Sequence, residues 1–157
     1  MRAKAPRRLA ADDPALAGVL DLIRRSFASM DGRIDPPSSM HRLRLADIAG
    51  HCASGEVWAI GAPPFACVFL TPRPDRLYLG KLAVDPARRG EGHGRALVDL
   101  AETRARALGL PCLELQTRVE LTENHRIFGA LGFRPAGTSA HPGYDRPTSI
   151  TMERAIP

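Results

Sequence analysis

Apolar residues recur at Leu16, Val19, Leu20, Ile23 and Phe27, the three-and-four spacing that gathers side chains on one face of a helix. Asp12 or Asp13 is placed to cap it, Pro14 fits the first helical position, and the turn Asp31-Gly32 stops it near Met30. Residues 9–11 form a short first strand. Asp35-Pro36-Pro37-Ser38-Ser39 cannot be helical, because each proline lacks a donor and pushes its predecessor towards extended geometry. A second helix, continuous or broken, runs over residues 41–53 and ends at Ser54-Gly55. The period then shortens. Glu56-Val57-Trp58-Ala59-Ile60 and residues 65–70 are strands joined through Gly61-Ala62-Pro63-Pro64 as a hairpin. A further strand covers residues 76–84, and Gly80 inside it marks a bulge or a close backbone approach.

Helical spacing returns over residues 96–108, with Leu97, Leu100, Ala101 and Leu108 inward and Arg95–Asp99 and Glu102–Arg106 as outward pairs. Gly109 and Pro111 end that helix. Residues 112–117 form the next strand, parallel to and beside the one before the helix, through a right-handed crossover. A short helix over residues 121–131 has Thr122 as its cap and Ile127, Phe128 and Leu131 on one face. Residues 133–139 and 148–153 are the last two strands. The predicted fold is α/β: a mostly antiparallel sheet of six or seven strands, a central parallel pair, and helices on both faces.

Composition narrows the class. The 157 residues, 44% hydrophobic and 25% charged, suit one domain, 1–157, of a soluble globular protein. No run reaches the roughly eighteen apolar residues of a membrane span. Met1 to Arg8 is basic with no apolar stretch behind it, so it is expected as a frayed end and not a secretory signal. Cys52, Cys67 and Cys112 are odd in number and lack metal-ligand spacing, as reduced core cysteines of a cytoplasmic protein would be. The net charge of +5 is spread along the chain and aromatics are 5%. That distribution argues against a nucleic-acid partner and for a positive cleft around a polyanionic cofactor.

The chemistry centres on Arg88-Arg89-Gly90-Glu91-Gly92-His93-Gly94-Arg95, between a strand and a helix. Alternating glycines let backbone approach a ligand closely. The first helical N–H groups lack partners and sit at the positive end of the helix dipole, so a pyrophosphate fits there. No Gly-Lys-Ser/Thr follows, which excludes a P-loop, and Gly-x-Gly-x-x-Gly fails at Arg95 and Leu97. Arg-x-x-Gly-x-Gly, from Arg89 to Gly94, does fit. With Leu82-Ala83-Val84-Asp85-Pro86 before it and Ala130-Leu131-Gly132-Phe133 after it, the chain resembles the GNAT superfamily of acyl-CoA N-acyltransferases.

That resemblance implies a sheet whose central parallel pair splays to admit the pantetheine arm of acetyl-CoA. It implies that Leu82, Ala83 and Val84 bind the arm and that Arg89, Gly90, Glu91, Gly92, His93, Gly94 and Arg95 hold the pyrophosphate. Ser38, Ser39, Met40 and His41 would touch the acceptor, or else form a rigid capped loop. The family's proton-donating tyrosine falls at Phe128, which has no proton to give, although Phe128 and Asn124 could still line the cofactor site; Asn124 is otherwise a surface residue. Tyr144 is the preferred substitute acid, with His141 and His125 behind it. Glu114 is the candidate base if it faces the cleft, followed by Glu120 and Glu123, and such acidic groups would suit a cationic acceptor. Lys81 is the alternative anchor, for an acidic one. Trp58 and Phe27 line the acceptor pocket or pack the core. The expected function is N-acetylation of a small-molecule or peptide amine by acetyl-CoA, with a non-catalytic acyl-CoA-binding module as the alternative, no metal, no membrane, and a homodimer as the family's frequent assembly.

Overall fold

The computed structural model describes residues 5–157. In chain order its elements are β1 (Arg7–Arg8), α1 (Leu16–Ala28), α2 (Leu45–Ser54), β2 (Glu56–Ile60), β3 (Ala66–Pro72), β4 (Leu77–Val84), α3 (His93–Ala107), β5 (Cys112–Arg118), α4 (Thr122–Ala130), β6 (Arg134–Ser139) and β7 (Ser149–Ala155). The seven strands form one sheet in the order β1-β2-β3-β4-β5-β7-β6, antiparallel throughout except for β4 beside β5. Of the N-terminal stretch expected to fray, residues 1–4 lie outside the described residues, and Arg7 and Arg8 pair with Ala59 and Trp58. The first strand therefore precedes the predicted one. Leu9 adds one more bond, its N–H donating to the Val57 carbonyl at 2.9 Å, and buries its side chain.

The sheet carries a core on each face, which is why β3 reads as an unbroken apolar run instead of an alternating one. Cys67 and Phe69 face α1 and α2, where Val19, Leu22, Ile23 and Ile48 are fully buried. Ala66, Val68 and Leu70 face the opposite way, towards Leu97, Val98, Ala101 and Ala105 of α3. Cys67 donates its thiol to the Lys81 carbonyl, and burial pushes that thiol up to about 12.

One residue resets the register of the central strand. Cys67 pairs with Ala83 and Phe69 with Gly80, so Lys81 and Leu82 together oppose Val68. This is a β-bulge, one position beyond the glycine that foretold it, and Lys81 adopts φ 49°. Alternation would put Leu77, Leu79, Lys81 and Ala83 on one face. With the extra residue, Leu77 and Leu79 share the α3 face with Leu82 and Val84, while Ala83 joins the other core.

Several helix details differ from the sequence pattern. Asp13 does accept an N–H, that of Ala15 at 2.8 Å, but α1 begins only after Ala15. The second helix is broken, a single 3₁₀ turn over Ser39–Arg42 preceding α2. α3 starts at His93, so the end of the glycine loop is already its first turn. Val98 takes an inward position, whereas Leu108, past the last turn, stays 42% exposed. Glu102 bonds Arg106 as expected and also Arg154, while among the described residues Arg95 and Asp99 form no ion pair. Thr122 makes no cap bond, and Ile127 is 54% exposed while Phe128 and Leu131 pack against the core.

Glu56 opens β2 with its carboxylate buried against Arg104 of α3. The guanidinium donates through Nε and Nη2, both at 2.8 Å, and the Trp58 indole N–H donates to the same carboxylate. Burial works against the charged carboxylate, but these donors outweigh it and hold the Glu56 pKa below the usual range. Removing one partner strands a buried charge. Arg104→Met is expected to cost about 3 kcal/mol, read as a lower urea midpoint at unchanged slope.

Candidate active site

β4 and β5 pair only at Leu77 with Leu113 and Tyr78 with Glu114. Beyond those two positions the strands diverge, and the backbone groups of β4 that point away from β3 have no ladder partner. The gap opens a cleft of about 310 Å³. Leu82 and Lys81 of β4 face Leu115 to Arg118 of β5 across it. Phe27, Met30, Ser38 and Ser39 border it on the α1 side, and Asn124 and Phe128 of α4 on the α3 side. The cleft therefore communicates with both faces of the sheet.

The glycine loop follows the C-terminus of β4. Asp85 anchors its start by accepting the Ala87 N–H at 2.9 Å and pairing with Arg25 at 2.9 Å, contacts that hold its carboxyl below the usual range. Gly90 and Gly92 have φ 83° and 87°, and a methyl group built on either would meet no atom within 4 Å. Their surroundings are open, as a ligand-facing loop requires. No side chain caps α3, which leaves the N–H groups of His93, Gly94 and Arg95 directed at the loop. Arg89 and Arg95 are exposed and have no carboxylate partner among the described residues. Arg88 instead stacks on Phe65 at 4.4 Å.

Two expected cradle side chains point elsewhere. His93 is 5% exposed, its ring 4.7 Å from Phe65 and its Nε2 bonded to Glu91 at 2.8 Å. Only its backbone is available to a ligand. Glu91 is occupied by His93 and by Arg88. Ala83 likewise turns its side chain to the α1 core, and the β4 residues that line the cleft end at Leu82.

The candidate acid and base are also relocated. Glu114 is 7% exposed and does not line the cleft. Its oxygens accept from Arg73 at 3.1 Å and Arg76 at 2.6 Å, and Arg76 also reaches Glu153 at 2.6 Å. Two guanidiniums thus hold this carboxylate where the strands join, not where they part. Glu123 pairs with Arg33, and Glu120 accepts the Asp35 N–H at 3.0 Å. The Tyr144 hydroxyl donates to Asp35, a bond that raises its pKa, and Arg146 pairs with the same carboxylate at 3.1 Å. Arg118 donates to the carbonyls of Pro36 at 2.8 Å and Pro37 at 3.3 Å. Tyr144 is thus part of a latch that ties the loop after α1 to the far end of the sheet, and it is not a wall of the cleft.

His41 pairs with Asp31 outside the main cleft, Trp58 packs against the α3 core, and His125 is bonded to the Arg118 carbonyl at 2.9 Å. Ser38, Ser39, Met40 and Phe27 do border the cleft, and the Ser38 hydroxyl also accepts the Met40 N–H at 3.1 Å. His141 is the one candidate donor at the cleft wall. Its Nδ1 bonds the hydroxyl of Thr148, a fully buried residue, and its N–H donates to the same oxygen at 2.9 Å. That hydroxyl lies 3.4 Å from the Ser139 carbonyl, the acceptor for its own proton. With the Thr148 proton assigned to that carbonyl, Oγ1 accepts from Nδ1–H, and in the neutral ring this tautomer leaves the lone pair on Nε2. Nothing in the residue pattern singled out Thr148, because its partner is folded back from seven positions away.

A mixed sheet with a splayed parallel pair, followed by a glycine loop at a helix N-terminus, defines an acyl-CoA N-acyltransferase architecture. The model of the Acetyltransferase (GNAT) family matches residues 17–133, and the chain belongs to that family. The fold is shared with the ribosomal-protein-S18-alanine N-acetyltransferase from Escherichia coli (21% identity, 98% of this chain and 94% of that one, TM-score 0.72). It is also shared with the PaiA N-acetyltransferase from Thermoplasma acidophilum, solved in complex with coenzyme A (13% identity, 98% and 99%, TM-score 0.82), and with Ard1 from Thermoplasma volcanium (18% identity, 99% of both, TM-score 0.73). No curated protein sequence matches the chain.

The latch gives a kinetic expectation. Tyr144→Phe removes a solvent-exposed hydrogen bond that ties down the loop after α1, so acceptor KM is expected to rise by roughly two- to threefold while kcat changes less than about twofold. A large loss of kcat at saturating acceptor would return Tyr144 to the chemistry.

Proposed function

We propose that this acetyltransferase uses acetyl-CoA to acetylate a primary amine carried by a small molecule or peptide. The observation that carries the reading is the succession of a strand gap open to both faces of the sheet and, directly after β4, an uncapped, glycine-preceded helix N-terminus. The fit to coenzyme A rests on the open space over Gly90 and Gly92 and on the unpaired edge of β4. Arg89, Arg95 and the first N–H groups of α3 would hold the pyrophosphate; main-chain groups of residues 82–84, with Asn124, would hold the arm. Acetyl-CoA, when bound, supplies a thioester carbonyl open to attack by an amine.

The chain's own contribution is polarisation and proton transfer. Free N–H groups of β4 beside the bulge are fixed dipoles that can bond the carbonyl oxygen without reorganising. His141, held by Thr148, keeps Nε2 free to take the proton of the attacking amine and to return it to the departing sulfur. Phe128 provides an apolar wall and no proton, and its contact with Phe133 at 6.2 Å keeps it on the core side of the cleft.

Calorimetric titration with CoA and acetyl-CoA, followed by thiol release against a panel of amines, tests this function. Binding with release is expected; binding without release from any amine would favour the non-catalytic module, and no binding would overturn the reading. Gly92→Val places a side chain in the cradle at a strain of about 1–2 kcal/mol, and should weaken CoA binding by at least about tenfold, while the fold persists in a melting curve. His141→Gln should lower kcat by about 100-fold and leave CoA affinity unchanged; an unaltered kcat would remove the residue from the mechanism.

A further inference from the structure

The charges of the cleft are one-sided. Among the described residues that line it, Lys81 and Arg118 are cationic and none is a carboxylate. The neighbouring acids are already committed: Asp31 to His41, Asp35 to Arg146 and Tyr144, Glu123 to Arg33, and Glu114 to Arg73 and Arg76. Glu120 is the exception: one oxygen accepts the Asp35 N–H, the other is buried without a partner, and the residue does not line the cleft. Arg118 meets only two carbonyls, so its charge has no carboxylate partner, and part of its donor fork is unused. Lys81 likewise has no ion pair and lies 5.1 Å over the Phe69 ring. Arg118 stands on β5 two positions from Gln116, on the same face, and both border the cleft. Around that end the surface is apolar, from Phe27, Met30 and Ile34.

We propose that the acceptor is a small amine bearing its own carboxylate and an apolar body, the chemistry of an apolar α-amino acid. Arg118 binds the carboxylate, the apolar side chain lies against Phe27, Met30 and Ile34, and the amine is left facing the strand gap. A planar guanidinium is suited to a carboxylate. A polyamine would meet two positive charges with no anion to receive it. The volume of about 310 Å³, shared with the thioester arm, favours a small acceptor over a folded one. This inference rests on the acetyl-transfer reading of the same cleft and replaces the expectation of a cationic acceptor.

The test compares leucine, leucinamide, 3-methylbutylamine, spermidine and a leucine-initiated hexapeptide by thiol release, alongside calorimetric binding of leucine to the CoA-saturated protein. Leucine is expected to exceed leucinamide and 3-methylbutylamine in kcat/KM by roughly 30-fold. Arg118→Gln should collapse that ratio towards one. Because Arg118 also ties the Pro36 and Pro37 carbonyls, Gln116→Glu provides a second variant that leaves those ties intact, and its added carboxylate should reduce the same ratio. Equal use of leucine and its uncharged analogues, preference for spermidine, or full activity with the hexapeptide would overturn the proposal. If no amine is acetylated, Arg118-dependent binding of leucine still supports the acceptor site, and absence of such binding overturns it. Failure of the protein to bind CoA at all would instead bring down the underlying acetyl-transfer reading.

Discussion

The extra residue at Lys81 is the constraint on which the working part of this structure depends. A regular strand running from Leu77 to Val84 would carry Leu77, Leu79, Lys81 and Ala83 on one face. It would then bury lysine in the α3 core or turn Leu82 and Val84 away from it. The bulge lets both halves of β4 bury their leucines and valine on the same side. It also coincides with the departure of β4 from β5, whose pairing ends at Tyr78 and Glu114. Packing and opening are thus satisfied together. The helix that begins at His93 is positioned by the same strand, so the cradle lies where the gap leads.

Ion pairing then decides what remains available. At the closed end, Arg73 and Arg76 hold Glu114 between β4 and β5, and Arg76 extends to Glu153 on β7. At the open end, Asp35 gathers Tyr144, Arg146 and Glu120 and fixes the loop after α1. Ion pairs thus consume Glu114 and, through Arg33, Glu123, two of the three acids that a linear reading offered for catalysis. What they leave at the cleft is a cationic Arg118, a partly buried Lys81 and a histidine oriented by Thr148. Burial pushes the Lys81 pKa down, and its position over an aromatic ring substitutes in part for an anion.

Much of the architecture was legible in advance. The helical faces of α1 and α3, the hairpin of β2 and β3, and the Arg-x-x-Gly-x-Gly loop are local signals, set by periodicity and by backbone freedom at Gly90 and Gly92. The chemistry was far less so. Glu114 belongs to the strand predicted for it, but nothing along the chain reveals that residues 73 and 76 return to neutralise it. Tyr144 sits in the loop expected of it, yet its hydroxyl is spent 109 positions away on Asp35.

By itself, then, the sequence determined the order of elements, the parallel βαβ unit, the glycine cradle and the family to which they belong, because each depends on residues near one another in the chain. Tertiary structure alone decided that one residue of β4 bulges, that the sheet opens after two residue pairs, which carboxylates are neutralised and which cations and histidine face the gap. Those outcomes depend on charges and hydrogen-bond donors brought together from distant segments, and a side chain's partners are fixed only once the two faces of the sheet have been packed.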